Sequence, residues 1–240
     1  MRLFDTRKKF DLLTPFLKGH SISGRARRAK KTSLDDIINE HFLKIPNHPC
    51  KETLSLALEC LNQKPAHIIE TGSSAWGANS TMLFDSYVNS FGGQLSSVDI
   101  RATPMIDLSF KCTDKTKLHC SDSIAFLEDL ELDKKIQNLF YFDSWDVDWA
   151  DPSPSMQHGL NEYLTISKSI KKDDLILIDD TPKSAEFLIN IASKESIQHF
   201  SENQHKGITG GKGSLVLDLI TKNKSAEIIS HKYQLLFKIL

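Results

Sequence analysis

The stretch HIIETGSSAWGANST, residues 67–81, decides the fold of this 240-residue chain. An apolar run ends at Glu70, and the turn after it carries two glycines five positions apart, Gly72 and Gly77. That spacing is typical of loops that cradle a phosphate, but the Lys-Ser or Lys-Thr pair that ends such loops is missing. The dinucleotide-binding pattern G-x-G-x-x-G is also incomplete, because Ser74 stands where its second glycine belongs. Neither phosphate-binding motif is therefore present.

Strands and helices alternate along the chain from this stretch onward. Apolar runs predict seven strands, at residues 66–70, 94–100, 117–120, 138–143, 174–179, 213–220 and 233–240. The helical spacing of apolar residues predicts helices between most of these strands, at residues 78–91, 121–130, 155–171 and 182–195. Such alternation forms right-handed βαβ units. We predict an α/β, doubly wound, Rossmann-like, seven-stranded and mostly parallel sheet, with an antiparallel C-terminal hairpin strand.

Two helices are predicted ahead of the first strand. Thr32 or Ser33, followed by Asp35 and Asp36, is a typical helix start, and a second helix is expected over residues 51–62. The chain then divides into three parts. We expect a basic N-terminal arm over residues 1–31, a helical cap over 32–64 and the main domain over 65–240.

Charge is distributed unevenly between these parts. Residues 1–31 carry ten Arg and Lys against two Asp, a charge of +8, so the remaining chain carries −9 to give the total of −1. The arm could meet an anionic partner, or it could be a solvated segment. No aromatic residue interleaves with its basic run, which argues against a nucleic-acid partner.

Composition limits the compartment and the class of protein. The four cysteines show no C-x-x-C pair and no zinc spacing, which is typical of reduced thiols in a cytoplasmic protein. No apolar run is long enough to cross a bilayer, and the N-terminus lacks a signal-peptide core. We therefore expect a cytoplasmic protein, either a monomer or a homo-oligomer.

Acids stand at or beside the end of every predicted parallel strand. In an open α/β sheet, ligands bind beyond the carboxyl ends of the strands, where the strand order reverses. An acidic edge disfavours a polyphosphate and suits a ligand with hydroxyls and a cationic end. Alternatively, the acids cap helices or face solvent, which explains Asp122 more easily than Glu70. The acids are Glu70, Asp99, Asp122, Asp143, Asp179 and Asp180.

These residues carry a resemblance to the class I S-adenosylmethionine (SAM)-dependent methyltransferases over residues 65 to 240. E-T-G-S-x-x-x-G after the first strand resembles the motif I of that family. Asp99 stands where members bind the ribose hydroxyls, and Asp122-Ser123 where many line the adenine. The residues that the resemblance implies in cofactor binding are Glu70, Gly72, Ser73, Gly77, Ser80, Thr81, Asp99, Asp122 and Ser123.

The downstream segments FYFDSWDVDW and LILIDDT are similar to macrocin-type and catechol-type O-methyltransferases. That similarity implies a divalent cation, Mg²⁺ by preference, on Asp143, Asp179 and Asp180. Asp146 or Asp148 could replace Asp143 as a ligand. The lysine base of the catechol type is missing, because no lysine closely follows Asp143.

The implied activity is the transfer of a methyl group from SAM to an oxygen of a small polyhydroxylated acceptor, such as a sugar or a natural-product hydroxyl. A cation bound to that oxygen would lower its pKa. Asp143 is the first candidate for the general base, and His158 is the second. Two other hypotheses stay open at this point. The chain could be a metal-independent small-molecule methyltransferase, or a non-catalytic module that binds SAM or nucleic acid.

Overall fold

A computed structural model describes residues 11–73, 77–189, 192–205 and 210–240 of the chain. Its sheet has eight strands in the order β1-β4-β3-β2-β5-β6-β8-β7. The strands are β1 Ser21–Ser23, β2 Ala66–Thr71, β3 Gly93–Asp99, β4 Thr116–Cys120, β5 Gln137–Phe142, β6 Leu175–Ile178, β7 Ala226–His231 and β8 Leu235–Ile239.

Nine α-helices occur in the described residues, and some of them cover each face of the sheet. They are α1 Thr14–Leu17, α2 Leu34–Phe42, α3 Lys51–Cys60, α4 Ser80–Phe91, α5 Ala102–Ser109, α6 Ser123–Glu128, α7 Ser153–Ile166, α8 Lys194–His205 and α9 Ser214–Asn223. A 3₁₀ helix spans Ala185–Leu188. No described helix is both long and apolar enough to span a membrane.

The parallel strands β4, β3, β2, β5 and β6 confirm the predicted α/β, Rossmann-like architecture. Alternate residues of β5 enter two different cores: Leu139 and Tyr141 pack on one face of the sheet, and Phe140 and Phe142 on the other. Such double-sided burial explains why parallel strands have continuous apolar sequences. The strand order reverses between β2 and β5, so a cleft is expected beyond their carboxyl ends.

The predicted sixth strand, residues 213–220, is wrong. Those residues form most of α9, whose buried Val216 and Ile220 lie one helical turn apart while Asp218 is exposed. A short apolar run fits a buried strand and a buried helix equally well. The strand at this edge is instead β7, which pairs antiparallel with β8 and is mostly exposed or half-buried. The C-terminal hairpin is therefore confirmed, with a different first strand.

The single helix predicted over residues 182–195 is also wrong. The 3₁₀ helix occupies its first part, and α8 starts only at Lys194. Ser193 provides the new start, because its hydroxyl accepts a hydrogen bond from the Ser196 N–H at 3.0 Å. A side-chain oxygen placed in this way satisfies a free amide of the first turn and favours helix initiation there.

The N-terminal segment is part of the sheet. β1 pairs antiparallel with β4, which adds an eighth strand to the seven predicted. Arg28 forms an ion pair with the buried Asp85, and Lys31 pairs with Glu40. Two of the six basic residues in the described part of this segment, residues 11–31, thus form ion pairs within the chain. As predicted, α2 begins after Ser33, whose hydroxyl accepts a hydrogen bond from the Asp36 N–H at 3.1 Å.

Candidate functional site

The turn after β2 packs directly against the end of β5. Gly72 has a φ of +87°, and a Cβ at this position would lie 2.2 Å from the carbonyl oxygen of Asp143. Only glycine fits such an approach and such a dihedral angle. Beside it, the Thr71 hydroxyl is buried, and no described group forms a hydrogen bond with it. The turn therefore lies against the end of β5 at the point where the strand order reverses. It also holds the Thr71 hydroxyl there without a described hydrogen-bond partner.

Glu70 lies on the other side of this turn and is fully buried. Its Oε1 accepts a hydrogen bond from Ser80 at 2.5 Å, and its Oε2 accepts hydrogen bonds from Thr81 at 2.6 Å and from Ser97 at 2.5 Å. We call these four residues the Glu70 network. Burial raises the pKa of Glu70 to about 7, against the opposing effect of the three hydroxyls. The network connects β2 with α4 and β3, and in this structure its members bind one another.

Two further residues of the predicted motif lie close to this network. The Ser73 hydroxyl is 2.6 Å from the Ser97 hydroxyl. Gly77 has a φ of +88° and faces the His48 ring, whose Nε2 lies 3.0 Å from where a Cβ would stand. Residues 74–76 lie outside the described residues. Helix α2 also contacts the turn, since His41 Nε2 lies 2.7 Å from the Ala78 carbonyl oxygen.

Asp99, at the end of β3, is bound by an arginine two residues later. Arg101 donates hydrogen bonds to Oδ1 at 2.9 Å and to Oδ2 at 2.8 Å, in the bidentate geometry that a guanidinium favours with a carboxylate. The Asp99 side chain is only 5% exposed. A ribose at this position would have to share or displace this ion pair.

Asp122 and Ser123 follow β4. Asp122 caps α6, because its Oδ1 accepts hydrogen bonds from the backbone N–H groups of Ile124 and Ala125. The Ser123 hydroxyl lies 3.0 Å from His158 Nε2, and the Ser144 hydroxyl lies 2.9 Å from the same nitrogen. His158 therefore links the end of β4 to the residue that follows Asp143.

The structure brings together three of the predicted acids at the ends of β5 and β6. Ligand atoms of Asp143, Asp179 and Asp180 all lie within 4.8 Å of one another, and we call these residues the carboxylate cluster. Asp146 and Asp148, the alternatives to Asp143, are exposed and are not part of it.

A lysine that the sequence reasoning missed lies inside this cluster. Lys212 Nζ forms an ion pair with Asp143 Oδ1 and lies 3.2 Å from Asp180 Oδ2. Its side chain is only 4% exposed. Burial by itself lowers the pKa of this ammonium, but the carboxylates of Asp143, Asp180 and Asp179 outweigh it and hold that pKa well above its usual value. Lys212 therefore carries a positive charge.

Neutral side chains occupy other oxygens of the cluster. The Tyr141 hydroxyl donates to Asp179 Oδ2 at 3.0 Å, and Gln234 Nε2 donates to Asp179 Oδ1 at 2.8 Å. The Tyr233 hydroxyl donates to Asp180 Oδ1. Burial raises the pKa of Asp143 well above its usual value, and Lys212 opposes this effect. Asp143 is therefore a stronger base than an exposed carboxylate.

The loop between α2 and α3 approaches the same cluster. Cys50 Sγ lies 3.6 Å from Asp179 Oδ1. Burial lowers the pKa of His48, against the opposing charge of Asp179. The two N-terminal helices thus bring a neutral imidazole and a thiol to the acidic end of the sheet. All four cysteines of the chain are free thiols.

Comparison with known proteins shows that this chain shares its fold with solved structures. No protein-family model matches the chain, and no curated protein matches it. MycE, a methyltransferase of the mycinamycin biosynthetic pathway solved with Mg, SAH and mycinamycin VI, is similar at 13% identity with a TM-score of 0.55 over 87% of this chain. Its complex with Mg and SAH gives 14% identity and a TM-score of 0.54 over 88% of this chain.

The chain spans 55% of the length of MycE in both comparisons. An O-methyltransferase from Bacillus cereus in complex with SAH matches at 13% identity and a TM-score of 0.48, over 88% of this chain and 92% of that protein. The similarity to MycE establishes that this chain has the fold of a methyltransferase domain.

Proposed function

We propose that the chain is a SAM-dependent methyltransferase that methylates a hydroxyl of a small polyhydroxylated molecule. The observation that carries the proposal is the edge of the sheet at the reversal point, where a glycine turn without lysine adjoins strand ends that carry acids. Such a surface suits a ligand with a ribose diol, an amino group and a sulfonium better than a phosphate. Solved proteins of this fold bind SAH, as in the MycE complexes.

The residues present fit SAM at its methionine end. Gly72 lets the turn pack directly against the Asp143 backbone, and the buried Thr71 hydroxyl beside it lacks a described hydrogen-bond partner. We propose Glu70, Ser73, Gly77, Ser80 and Thr81 as the residues that build and support this turn. Bound SAM would supply an electrophilic methyl group.

At the other end of the proposed SAM site, Asp99 would bind the ribose hydroxyls. Asp122 and Ser123 would lie beside the adenine, with His158 holding the Ser123 hydroxyl in place. In this assignment His158 is a positioning residue, because its Nε2 lies within hydrogen-bond distance of Ser123 and of Ser144.

Asp143 is the proposed general base. It lies at the end of β5 beside the turn, and its side chain is 9% exposed. The O–H bond of the acceptor breaks as its proton moves to Asp143. With SAM bound, the acceptor oxygen would take the methyl group while the electron pair of the C–S bond stayed on sulfur, so the products would be a methyl ether and a thioether. A base held in line with the two reactants contributes about 10²- to 10⁴-fold to such a step.

The sequence also predicted Mg²⁺ on the carboxylate cluster. The mutual distances within 4.8 Å support this, and MycE has been solved with Mg. Against it, the Lys212 ammonium already binds Asp143 and Asp180. The residues as they stand do not fit a divalent cation, and we assign no step of the reaction to one.

Isothermal titration with SAH tests the proposal. We expect saturable 1:1 binding with a Kd of about 100 μM or tighter. Absence of heat at about 1 mM SAH would rule the function out. The acceptor can then be sought by methyl transfer from labelled SAM to a panel of sugars and hydroxylated aromatic compounds. Transfer that depends on Asp143 would identify the reaction as O-methylation by this site.

A further inference from the structure

We infer that Lys212 supplies the positive charge of this site in place of a divalent cation, so that the chain works without a metal ion. The inference rests on the proposed function, since it concerns the site where the acceptor hydroxyl would react. It specifies which cation faces that hydroxyl and which residue provides it.

The position of Lys212 Nζ is the first argument. A divalent cation shared by Asp143 and Asp180 would have to lie between their oxygens, and Lys212 Nζ binds one oxygen of each. The lysine side chain is 4% exposed and that of Asp143 is 9% exposed, so the ammonium is buried within the cluster rather than resting on its surface. Two cations cannot share this space without strong repulsion.

The occupancy of the carboxylate oxygens is the second argument. Asp143 Oδ1 and Asp180 Oδ2 face Lys212, while Asp180 Oδ1 accepts a hydrogen bond from Tyr233. Both oxygens of Asp179 accept hydrogen bonds, from Gln234 and Tyr141. Five of the six oxygens of the cluster therefore bind donors of this chain. Mg²⁺ requires free oxygens at about 2.0–2.1 Å in near-octahedral geometry, and this set does not offer them.

The backbone around Lys212 is the third argument. Gly211 has a φ of +109°, and a Cβ there would lie 2.1 Å from the Asp180 carbonyl oxygen, so the loop lies directly on the end of β6. The Lys212 N–H donates to that same carbonyl at 3.1 Å, and the Gly213 N–H donates to Thr181 Oγ1 at 2.9 Å. The glycine and the two hydrogen bonds fix the root of the side chain, so the ammonium is built into the cluster.

This arrangement gives the ammonium a chemical role. An ammonium has three N–H donors, and the described carboxylates Asp143 and Asp180 take two of them. The third can donate to the acceptor oxygen as negative charge develops on it. A fixed charge in a site with little water stabilises such a transition state strongly, because no solvent needs to reorganise. Lys212 does not act as the base, since its ammonium is held protonated by three acids.

Cation binding to the wild-type chain is the first test. The protein is treated with EDTA and dialysed, and Mn²⁺ is then titrated with detection by electron paramagnetic resonance of the free ion. We expect no specific site at about 1 mM Mn²⁺. One Mn²⁺ bound per chain with a Kd below about 100 μM, lost in the Asp180→Asn variant, would overturn the inference.

Removing the lysine is the second test. Lys212→Ser takes away the charge and leaves space between the carboxylates, so we expect Mn²⁺ to bind at least about tenfold more tightly than to the wild type. Lys238→Ala is the matched control, because it also removes a lysine from an ion pair, that with Glu227, at a partly exposed position. It should bind Mn²⁺ like the wild type. Equal Mn²⁺ affinities for folded Lys212→Ser and wild type would contradict the inference, and the wild-type titration decides the question if that variant does not fold.

SAH titration of the same samples separates the two proposals. If the wild type binds neither SAH nor Mn²⁺, the proposed function fails, while the assignment of Lys212 as the cation of the cluster stands. If it binds SAH and also takes up Mn²⁺ with Lys212 in place, the present inference alone fails. If it binds SAH but not Mn²⁺, and methyl transfer is unchanged in EDTA, both proposals hold.

Discussion

The buried carboxylate of Glu70 and those of the carboxylate cluster lie at the carboxyl ends of neighbouring strands, and they are stabilised in different ways. Glu70 is surrounded by three neutral hydroxyls, whereas Asp143 and Asp180 face the ammonium of Lys212. In the Glu70 network all donors bind one carboxylate and none carries a charge. In the carboxylate cluster two described carboxylates bind the Lys212 ammonium, and we propose that its third N–H serves the acceptor oxygen. We propose from this contrast that the first group supports the turn and the second takes part in the reaction.

The largest expected effect is the loss of the base. Asp143→Asn keeps the shape of the side chain but removes a proton acceptor, so we expect kcat to fall by about 10²- to 10⁴-fold. SAH affinity should change by less than about threefold, because Asp143 is not assigned to the cofactor. Methyl transfer and isothermal titration measure the two quantities. Asp148→Asn, an exposed acid of the same loop, is the control, and an equal loss in both variants would remove Asp143 from its role.

A change in the Glu70 network should affect the free energy of unfolding more than it affects kcat. Burial raises the pKa of Glu70 from 4.5 to about 7. Below pH 4.5 the carboxyl is protonated in both the folded and the unfolded state. As the pH rises from 4.5 to 7, the unfolded chain releases this proton first, so the contribution of Glu70 to the free energy of unfolding falls. The pKa shift corresponds to a loss of about 3 kcal/mol that is complete above pH 7.

Glu70→Gln isolates this effect because glutamine does not titrate. The free energy of unfolding is measured by urea denaturation of both proteins at about pH 4 and about pH 8. We expect the difference, wild type minus variant, to fall by about 3 kcal/mol between these conditions. All other titrating groups cancel in the comparison. A difference that stays constant with pH would show that the pKa of Glu70 is the same in the folded and the unfolded protein.

The two groups also differ in how far the sequence predicted them. Glu70 and its hydroxyl partners Ser80 and Thr81 lie within one strand-turn-helix unit, so the resemblance of that unit to motif I was enough to select them. The three acids of the cluster were found because they follow consecutive apolar runs, and a parallel sheet aligns the ends of such runs.

Lys212 was missed because its partner Asp143 lies 69 positions away in the sequence. The available signal was a single lysine flanked by glycines in GGKG, but a local pattern does not say which strand end such a loop meets. The misassigned strand at residues 213–220 has the same cause, since the apolar residues of α9 become one-sided only when the sheet is in place. Arg101 was also missed, although it stands two residues after Asp99.

Hydrogen bonds to the carboxylate cluster should contribute more to the free energy of unfolding than comparable hydrogen bonds elsewhere in the chain. Tyr141→Phe removes a hydroxyl that donates to Asp179, and we expect the free energy of unfolding to fall by about 2 kcal/mol, as for a bond to a charged group. Tyr87→Phe is the matched control, because the Tyr87 hydroxyl donates at the same 3.0 Å to the neutral carbonyl of Lys64. Its loss should cost about 1 kcal/mol. Equal losses in urea denaturation would contradict the greater contribution expected from hydrogen bonds to the cluster.

The smallest expected effect concerns a third carboxylate, Asp99, which is also bound by a cation. Here the cation is 26% exposed and lies two residues away in the sequence, so the pair is more accessible to water than that of Lys212. If the ribose hydroxyls need the oxygens of Asp99, Arg101 competes with them, and Arg101→Ala should bind SAH more tightly. The gain should not exceed about fivefold, since partly exposed ion pairs contribute up to about 1 kcal/mol.

Isothermal titration at two salt concentrations tests this competition, with Arg27→Ala as an exposed control. Because salt weakens the Arg101–Asp99 pair, the advantage of Arg101→Ala over the wild type should shrink at high salt. Weaker SAH binding by Arg101→Ala would mean instead that the guanidinium orients Asp99 for the ribose. In that case the cations at Asp99 and at the carboxylate cluster would share one purpose, which is to hold an acid in position for its ligand.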